Sequence, residues 1–245
     1  LVMSGAFNVP TPVAHRFTRL SAGDATACGI DAMGALWCWG SGEFGALGDG
    51  NLAAHDTPTP QQVGAATWQS VSVSNHVCGI QTNGSLWCFG PNDSGEVGVD
   101  PMTPALGTPT RVGTDTDWSE VSAGDQFTCA LKQSGQLFCF GVNDLGELAS
   151  TAPETPTPTR VGTQTFTAVH ASGNGACAVT PANEGFCCGD NGRGALGAGS
   201  NVEFATAVTR IATTTPLVRT FGGRRLRCAF TTTDGLECWG DNLTS

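Results

Sequence analysis

Apolar positions in this chain alternate with a period of two over short runs that break at glycine, which predicts strands joined by tight turns. In the stretch from 28 to 39, Cys28, Ile30, Leu36 and Cys38 share one strand face, while Trp37 and Trp39 share the other. A sheet that is apolar on both faces needs neighbours on both sides, as propeller blades provide and a one-sided sandwich sheet does not. The midpoints of the first three such runs fall at Met33 and Gly34, Asn83 and Gly84, and Ser134 and Gly135. Each predicts a three-residue hairpin loop with glycine free to take a left-handed bulge.

The pattern recurs five times. Ten cysteines form pairs with nine residues between partners: Cys28 and Cys38, Cys78 and Cys88, Cys129 and Cys139, Cys177 and Cys187, Cys228 and Cys238. First members follow one another at intervals of 50, 51, 48 and 51 residues. Partners in such a hairpin stand directly opposite, close enough for a disulfide, and each bridge is expected to contribute roughly 2–3 kcal/mol through chain entropy. Zinc is the rival reading, but tetrahedral sites usually draw ligands from close CxxC pairs, and none is present. The eleventh cysteine, Cys188, takes the slot that Trp39, Phe89, Phe140 and Trp239 hold elsewhere, and reads as a buried apolar filler.

Lead-ins rich in Thr and Pro precede the hairpins at 60–63, 109–112, 158–161 and 208–211, and a fifth copy, Pro10 to Val13, has no hairpin before it. Seven residues past Gly40, Gly90, Gly141 and Gly189 stand Leu47, Val97, Leu148 and Leu196, and the same count from Gly240 through the terminus reaches Val2. The expectation is therefore an all-β, five-bladed β-propeller over residues 1–245, a single domain. Its hairpins lie near 17–48, 68–98, 118–148, 166–197 and 217–245. Residues 1–13 complete the last blade, so that N- and C-terminal strands close the ring and remove its open edges.

The repeated frame runs from Val121, Ser122, Ala123 and Gly124 through Cys129, Ala130 and Leu131, then Gly135, Leu137, Cys139 and Gly141, then Asn143, Gly146 and Leu148. It resembles the regulator of chromosome condensation repeat family over nearly the whole chain. Members of that family are described as seven-bladed propellers and include exchange factors for a nuclear GTPase, light receptors and secreted inhibitors of β-lactamase. This chain has five repeats, a cysteine pair in each and an acidic balance; the histidine often found two residues before the first cysteine survives only as His76. The resemblance implies the fold, and function must come from the site.

Composition narrows the function classes. With 11 Lys and Arg against 21 Asp and Glu, the net charge of −10 disfavours generic binding to nucleic acid or anionic lipid. No apolar run is long enough to span a membrane as a helix. Residue 1 is Leu and no charged-then-apolar leader follows, so an export signal is expected to have been removed or to lie outside this sequence. Paired cysteines point to an oxidising setting: extracellular, cell-surface or periplasmic.

Reactive chemistry is not evident. His15, His55, His76 and His170 do not recur in register, and HExxH, GxSxG and GxxxxGK[ST] are absent. Asp93, Glu96, Asp144 and Glu147 suggest calcium but lack a ladder of alternating oxygen ligands, so they read as turn residues. No catalytic residue, metal or cofactor is expected. Sequons stand at Asn83, Asn92 and Asn242, with Asn83 at a hairpin tip the best acceptor if the chain passes a eukaryotic secretory route. The leading expectation is an extracellular, non-enzymatic module that binds a protein partner. The alternative is a lectin-like propeller that binds glycan, and a third reading is a structural subunit of a surface assembly. The expected binding surface has one loop position per repeat, Asp24, Asn75, Asp125, Asn174 and Arg224, with Arg219, Arg225 and Arg227 beside the last. Arg210 joins these four arginines in a segment holding five of the eleven basic residues, a patch suited to an anionic group.

Overall fold

A computed structural model describes residues 15–199 and 202–241, and within them the fold is all-β. The first strands are β1 (Phe17–Ala22), β2 (Thr26–Asp31), β3 (Ala35–Ser41) and a long β4 (Asp56–Val73). They are followed by β5 (Val77–Gln81), β6 (Leu86–Pro91) and β7 (Ala105–Arg111). Next come β8 (Trp118–Ala123), β9 (Phe127–Lys132), β10 (Leu137–Gly141) and β11 (Thr155–Arg160). β12 (Ala168–Ser172), β13 (Gly175–Val179), β14 (Gly185–Asp190) and β15 (Phe204–Arg210) precede the last three, β16 (Leu217–Gly222), β17 (Leu226–Thr231) and β18 (Leu236–Gly240). One 3-10 turn, Glu43–Gly45, is the helical element among the described residues, and no helix there is long and apolar enough to cross a membrane.

Strands pair antiparallel in chain order. β4 belongs to two units at once: its first part lies beside β3, and Trp68 to Val73 lie beside β5. The seven-stranded sheet β1 to β7 is thus two four-strand units sharing one strand, followed by a unit of β8 to β11, one of β12 to β15 and a three-stranded unit of β16 to β18. Every expected cysteine pair stands directly opposite across its hairpin and at disulfide distance, with Sγ atoms 2.04 Å apart for Cys129 and Cys139. The hairpin tips take the left-handed conformation at Gly34, Gly84 and Gly135, where φ is 79–82°. Asn183 and Asp234 take the same slot in the last two hairpins, because a short polar side chain tolerates that region better than other residues do.

Each unit packs its cysteine-bearing face beneath the inner strand of the next. Ile30 and Leu36 lie under Trp68, Ile80 and Leu86 under Trp118, Leu131 and Leu137 under Phe166, and Val179 under Leu217. Serines stitch the same junctions: Ser21 accepts the Val73 N–H at 2.9 Å, Ser72 that of Ala123 at 2.9 Å, and Ser122 that of Ala171 at 2.8 Å. At the fourth junction His170 replaces serine and donates from Nε2 to the Gly222 carbonyl at 3.0 Å.

The loops after the hairpins are pinned by asparagine. Asn143 accepts the Leu148 N–H at 2.9 Å and donates to the Ser150 and Ala152 carbonyls; Asn92 and Asn191 hold the matching loops. The first repeat has Gly42 at this position, and a Cβ there would stand 2.2 Å from the His55 ring, so the imidazole fills the place of the missing side chain. Its nitrogens face the Ala53 carbonyl and the Asp49 carboxylate, each at 2.8 Å, which raises its pKa.

The expected closing segment, residues 1–13 with Val2 and the lead-in at Pro10 to Val13, lies outside the described residues. Among the described residues β18 pairs with β17 and the sheets do not by themselves close a ring, so the expected closure rests on residues outside the described ones.

Candidate partner-binding surface

The inner strands β1, β8, β12 and β16 and the second part of β4 line a common cavity of about 560 Å³. Rigid ladders fix these strands, so the turns after them project charged side chains from defined points. Of the five loop positions expected to form the surface, Asp24, Asp125 and Arg224 line this cavity. Asn75 lies beside Asp24 at a neighbouring pocket of about 270 Å³ that includes Phe44. Asn174 does not line either; its carbonyl accepts the Asp190 N–H instead.

Charge pairing crosses the cavity. Arg224 Nε stands 3.9 Å from Asp125 Oδ2, linking the fifth unit to the third, and Arg219 donates to Glu120 along the same route. Glu120 also accepts the Val169 N–H at 3.3 Å. Burial pushes the Glu120 carboxyl up in pKa against the pull of Arg219. Burial likewise raises Asp125, with Arg224 lowering it and Asp24 adding to the rise. His170, beside them, is depressed by burial, so the neutral ring that donates to Gly222 is the favoured form. Sequence reasoning missed Glu120 and His170. The recurrence of Ser21, Ser72 and Ser122 in register, with His170 in the fourth copy, was the signal that could have found the inner strand.

The basic patch is smaller than expected. Arg219, Arg224 and Arg225 are exposed, but Arg227 is 1% exposed and must be removed from the surface. Its Nη1 donates to the Cys177 sulfur at 3.2 Å and its Nη2 to the Ser172 carbonyl at 3.3 Å, between the fourth and fifth units. Gly175 makes this possible, since a Cβ there would stand 2.9 Å from Nη2. Burial lowers the guanidinium to about 10, still charged at neutral pH. Arg210 is engaged elsewhere, 2.9 Å from Glu184.

Other candidates resolve into structural parts. Glu96 and Glu147 are buried and accept the N–H groups of Ser94 and Leu145, so these carboxylates close their own turns. Cys188 is buried, its thiol donates to the Glu147 carbonyl, and burial pushes it up to about 11. The sequon at Asn92 is not an available acceptor: the side chain is fully buried and its nitrogen donates to the carbonyls of Val99, Asp100 and Thr103. Asn83 is exposed, with Ser85 Oγ donating to its Oδ1 at 2.6 Å, and Asn242 lies outside the described residues. The aromatics Phe89 and Phe140 are fully buried, while Trp37, Trp87 and Phe138 are half-buried, Trp37 and Trp87 with their indole N–H groups bonded to Asp31 and Ser85.

Comparisons with known proteins follow the same geometry. Models of the regulator of chromosome condensation (RCC1) repeat match residues 33–80, 83–131 and 118–147. No curated protein sequence matches significantly. Among solved structures, yeast RCC1 (Prp20), crystallised with Kap60, superposes with a TM-score of 0.81 at 20% identity, over 96% of this chain and 56% of that one. Human WBSCR16 gives 0.80 at 18% identity, over 93% and 62%. The receptor kinase CR4 ectodomain of Physcomitrella patens gives 0.62 at 19% identity, over 96% and 53%. The chain thus spans a little over half the length of these neighbours, and the likeness is one of fold.

Proposed function

Because the chain is an RCC1-like repeat protein, we propose that it works as a non-enzymatic interaction module whose partner is a protein docked at the mouth of the axial cavity. The observation that carries this reading is the convergence of Asp24, Asp125, Glu120, Arg219 and Arg224, supplied by three separate units, on one concave surface. Paired charges of both signs on rigid strands suit recognition of a partner that presents complementary charges, and they set register and on-rate more than raw affinity. The yeast neighbour was crystallised with a protein, Kap60, which supports this class of partner. Five cysteine pairs at disulfide distance support an oxidising, extracellular-type compartment.

The test is affinity capture from the native source with the parent chain and with an Arg224→Glu/Arg225→Glu variant, alongside a glycan array. A protein retained by the parent and lost with the variant, with affinity falling as salt rises, is the expected result. Equal capture by both would move the surface elsewhere. Glycans bound by the parent, with no captured protein, would replace the reading with a lectin.

A further inference from the structure

The cavity of about 270 Å³ beside the axial one lies between the first and second units. Its walls are the turns that precede β2 and β5 and the loops that follow β3 and β6, so it belongs to an internal junction and to neither end face. Two departures from the repeat create the space. Thr26 stands two residues before its first cysteine, where the second and third units have His76 and Phe127; Ala46 stands six residues after Gly40, where those units have Glu96 and Glu147. The four larger side chains are buried at their own junctions, and His76 reaches Thr128 of the next unit at 2.6 Å. Thr26 and Ala46 are buried too, but they are too short to fill the same room.

Phe44, 59% exposed, forms part of the wall, where the next two units have Ser94 and Leu145. Asp24, Glu43 and Asp93 add three carboxylates and no Lys or Arg lines the cavity. None of the three has an ion-pair partner among the described residues, whereas Asp115, Glu120 and Glu184 each have one. We propose that this pocket takes an arginine side chain of the protein partner, its guanidinium held against the Phe44 ring and between the carboxylates. The proposal rests on the reading of a protein partner given above and adds an anchor to it. Size sets the class of ligand: the volume is below the roughly 300–1,000 Å³ of sites for drug-sized molecules and suits one long side chain. Charge sets the sign, because three unpaired carboxylates around one cavity attract a cation. The aromatic wall sets the choice between cations, since a planar guanidinium stacks on a ring while its forked donors reach carboxylates at the rim, and an ammonium is a compact, strongly hydrated point charge. An arginine seated in a pocket is also the kind of residue that dominates the energy of a protein interface.

The test is a titration of the isotope-labelled chain, disulfides intact and at low salt, with the peptide acetyl-Gly-Arg-Gly-amide, read by NMR. Saturating shifts are expected at the backbone amides of Phe44, Ala46 and Asn75. The citrulline peptide, neutral and of nearly the same shape, is expected to leave them in place, and the lysine peptide to bind several-fold more weakly. Glu43→Gln/Asp93→Asn should weaken the arginine peptide about tenfold through the loss of two partly exposed charge contacts. Glu154→Gln, at an exposed carboxylate elsewhere, should not change it. Phe44→Asn removes the ring, keeps a residue that tolerates the left-handed backbone at this position, and should weaken binding several-fold. Absence of saturating shifts, an equal response to the citrulline or lysine peptide, or unchanged affinity in either pocket variant overturns the proposal. No partner is present in this titration, so it fails separately from affinity capture: capture lost with Arg224→Glu/Arg225→Glu while the arginine peptide does not bind would keep the docking surface and remove this anchor alone.

Discussion

His76 is the buried group whose charge state the fold controls most strongly. The ring is fully buried between the second and third units; its Nε2 lies 2.6 Å from Thr128 Oγ1, and its Nδ1 has no partner. Thr128 spends its own proton on the Glu96 carbonyl at 2.8 Å, so Nε2 is the donor in the His76 pair. Burial lowers the imidazole from 6.5 to about 3. Between those values the unfolded chain takes up a proton that the folded chain refuses, so stability is present above the unfolded pKa and is lost as pH falls. The loss works out at about 2 kcal/mol at pH 5 and about 3 kcal/mol at pH 4. Phe127 occupies the same position in the third repeat and is fully buried, which makes His76→Phe the appropriate replacement. Urea unfolding of parent and variant from pH 7 to pH 4 isolates the histidine, because the raised carboxyls of Glu96, Glu120 and Glu147 are common to both and cancel in the difference. The parent should lose stability relative to the variant by the amounts above. A difference that stays constant over that range would refute the argument.

Three further outcomes are expected. Mild reductant should open Cys228–Cys238 first, because Cys238 is exposed while both members of the first three pairs are fully buried; differential alkylation and mass spectrometry read the order. Asn143→Ala should cost about 2 kcal/mol by stranding the buried Leu148 N–H, with faster hydrogen exchange confined to the loop from 143 to 152. Expression in a glycosylating eukaryotic host should place glycan on Asn83 and none on Asn92, by peptide mass mapping; modified Asn92 would mean that its loop forms late or opens readily.

The hairpins and cysteine pairs were legible because two independent periods, the strand alternation and the repeat near fifty residues, meet at the same positions. Local chemistry at the tips was legible too, through glycines that occupy the left-handed slot. What could not be read was which side of a strand a long polar chain takes. Arg227 looked like one more member of a basic run, yet strand parity sends it inward against Cys177 while Arg224 and Arg225, on the turn, stay outside. Asn92 matched a sequon, but its repeat mates Asn143 and Asn191 show that the position serves to pin a loop. His55 does not recur in register, and its role was hidden because the gap it fills is defined by Gly42, thirteen positions away. Ring closure was inferred by counting residues through the terminus, and the residues it rests on lie outside the described ones.

Each covalent bridge begins and ends inside a single hairpin, with nine residues between its cysteines. Nothing covalent except the main chain spans a junction between units. Under tension, the junctions should therefore yield while every hairpin stays tied. With first cysteines 50 residues apart in the first two repeats, each released unit should pay out about 40 residues of slack, or roughly 14 nm at full extension. Reductant should lengthen that step by about ten residue spacings, the sequence separation that each bridge spans.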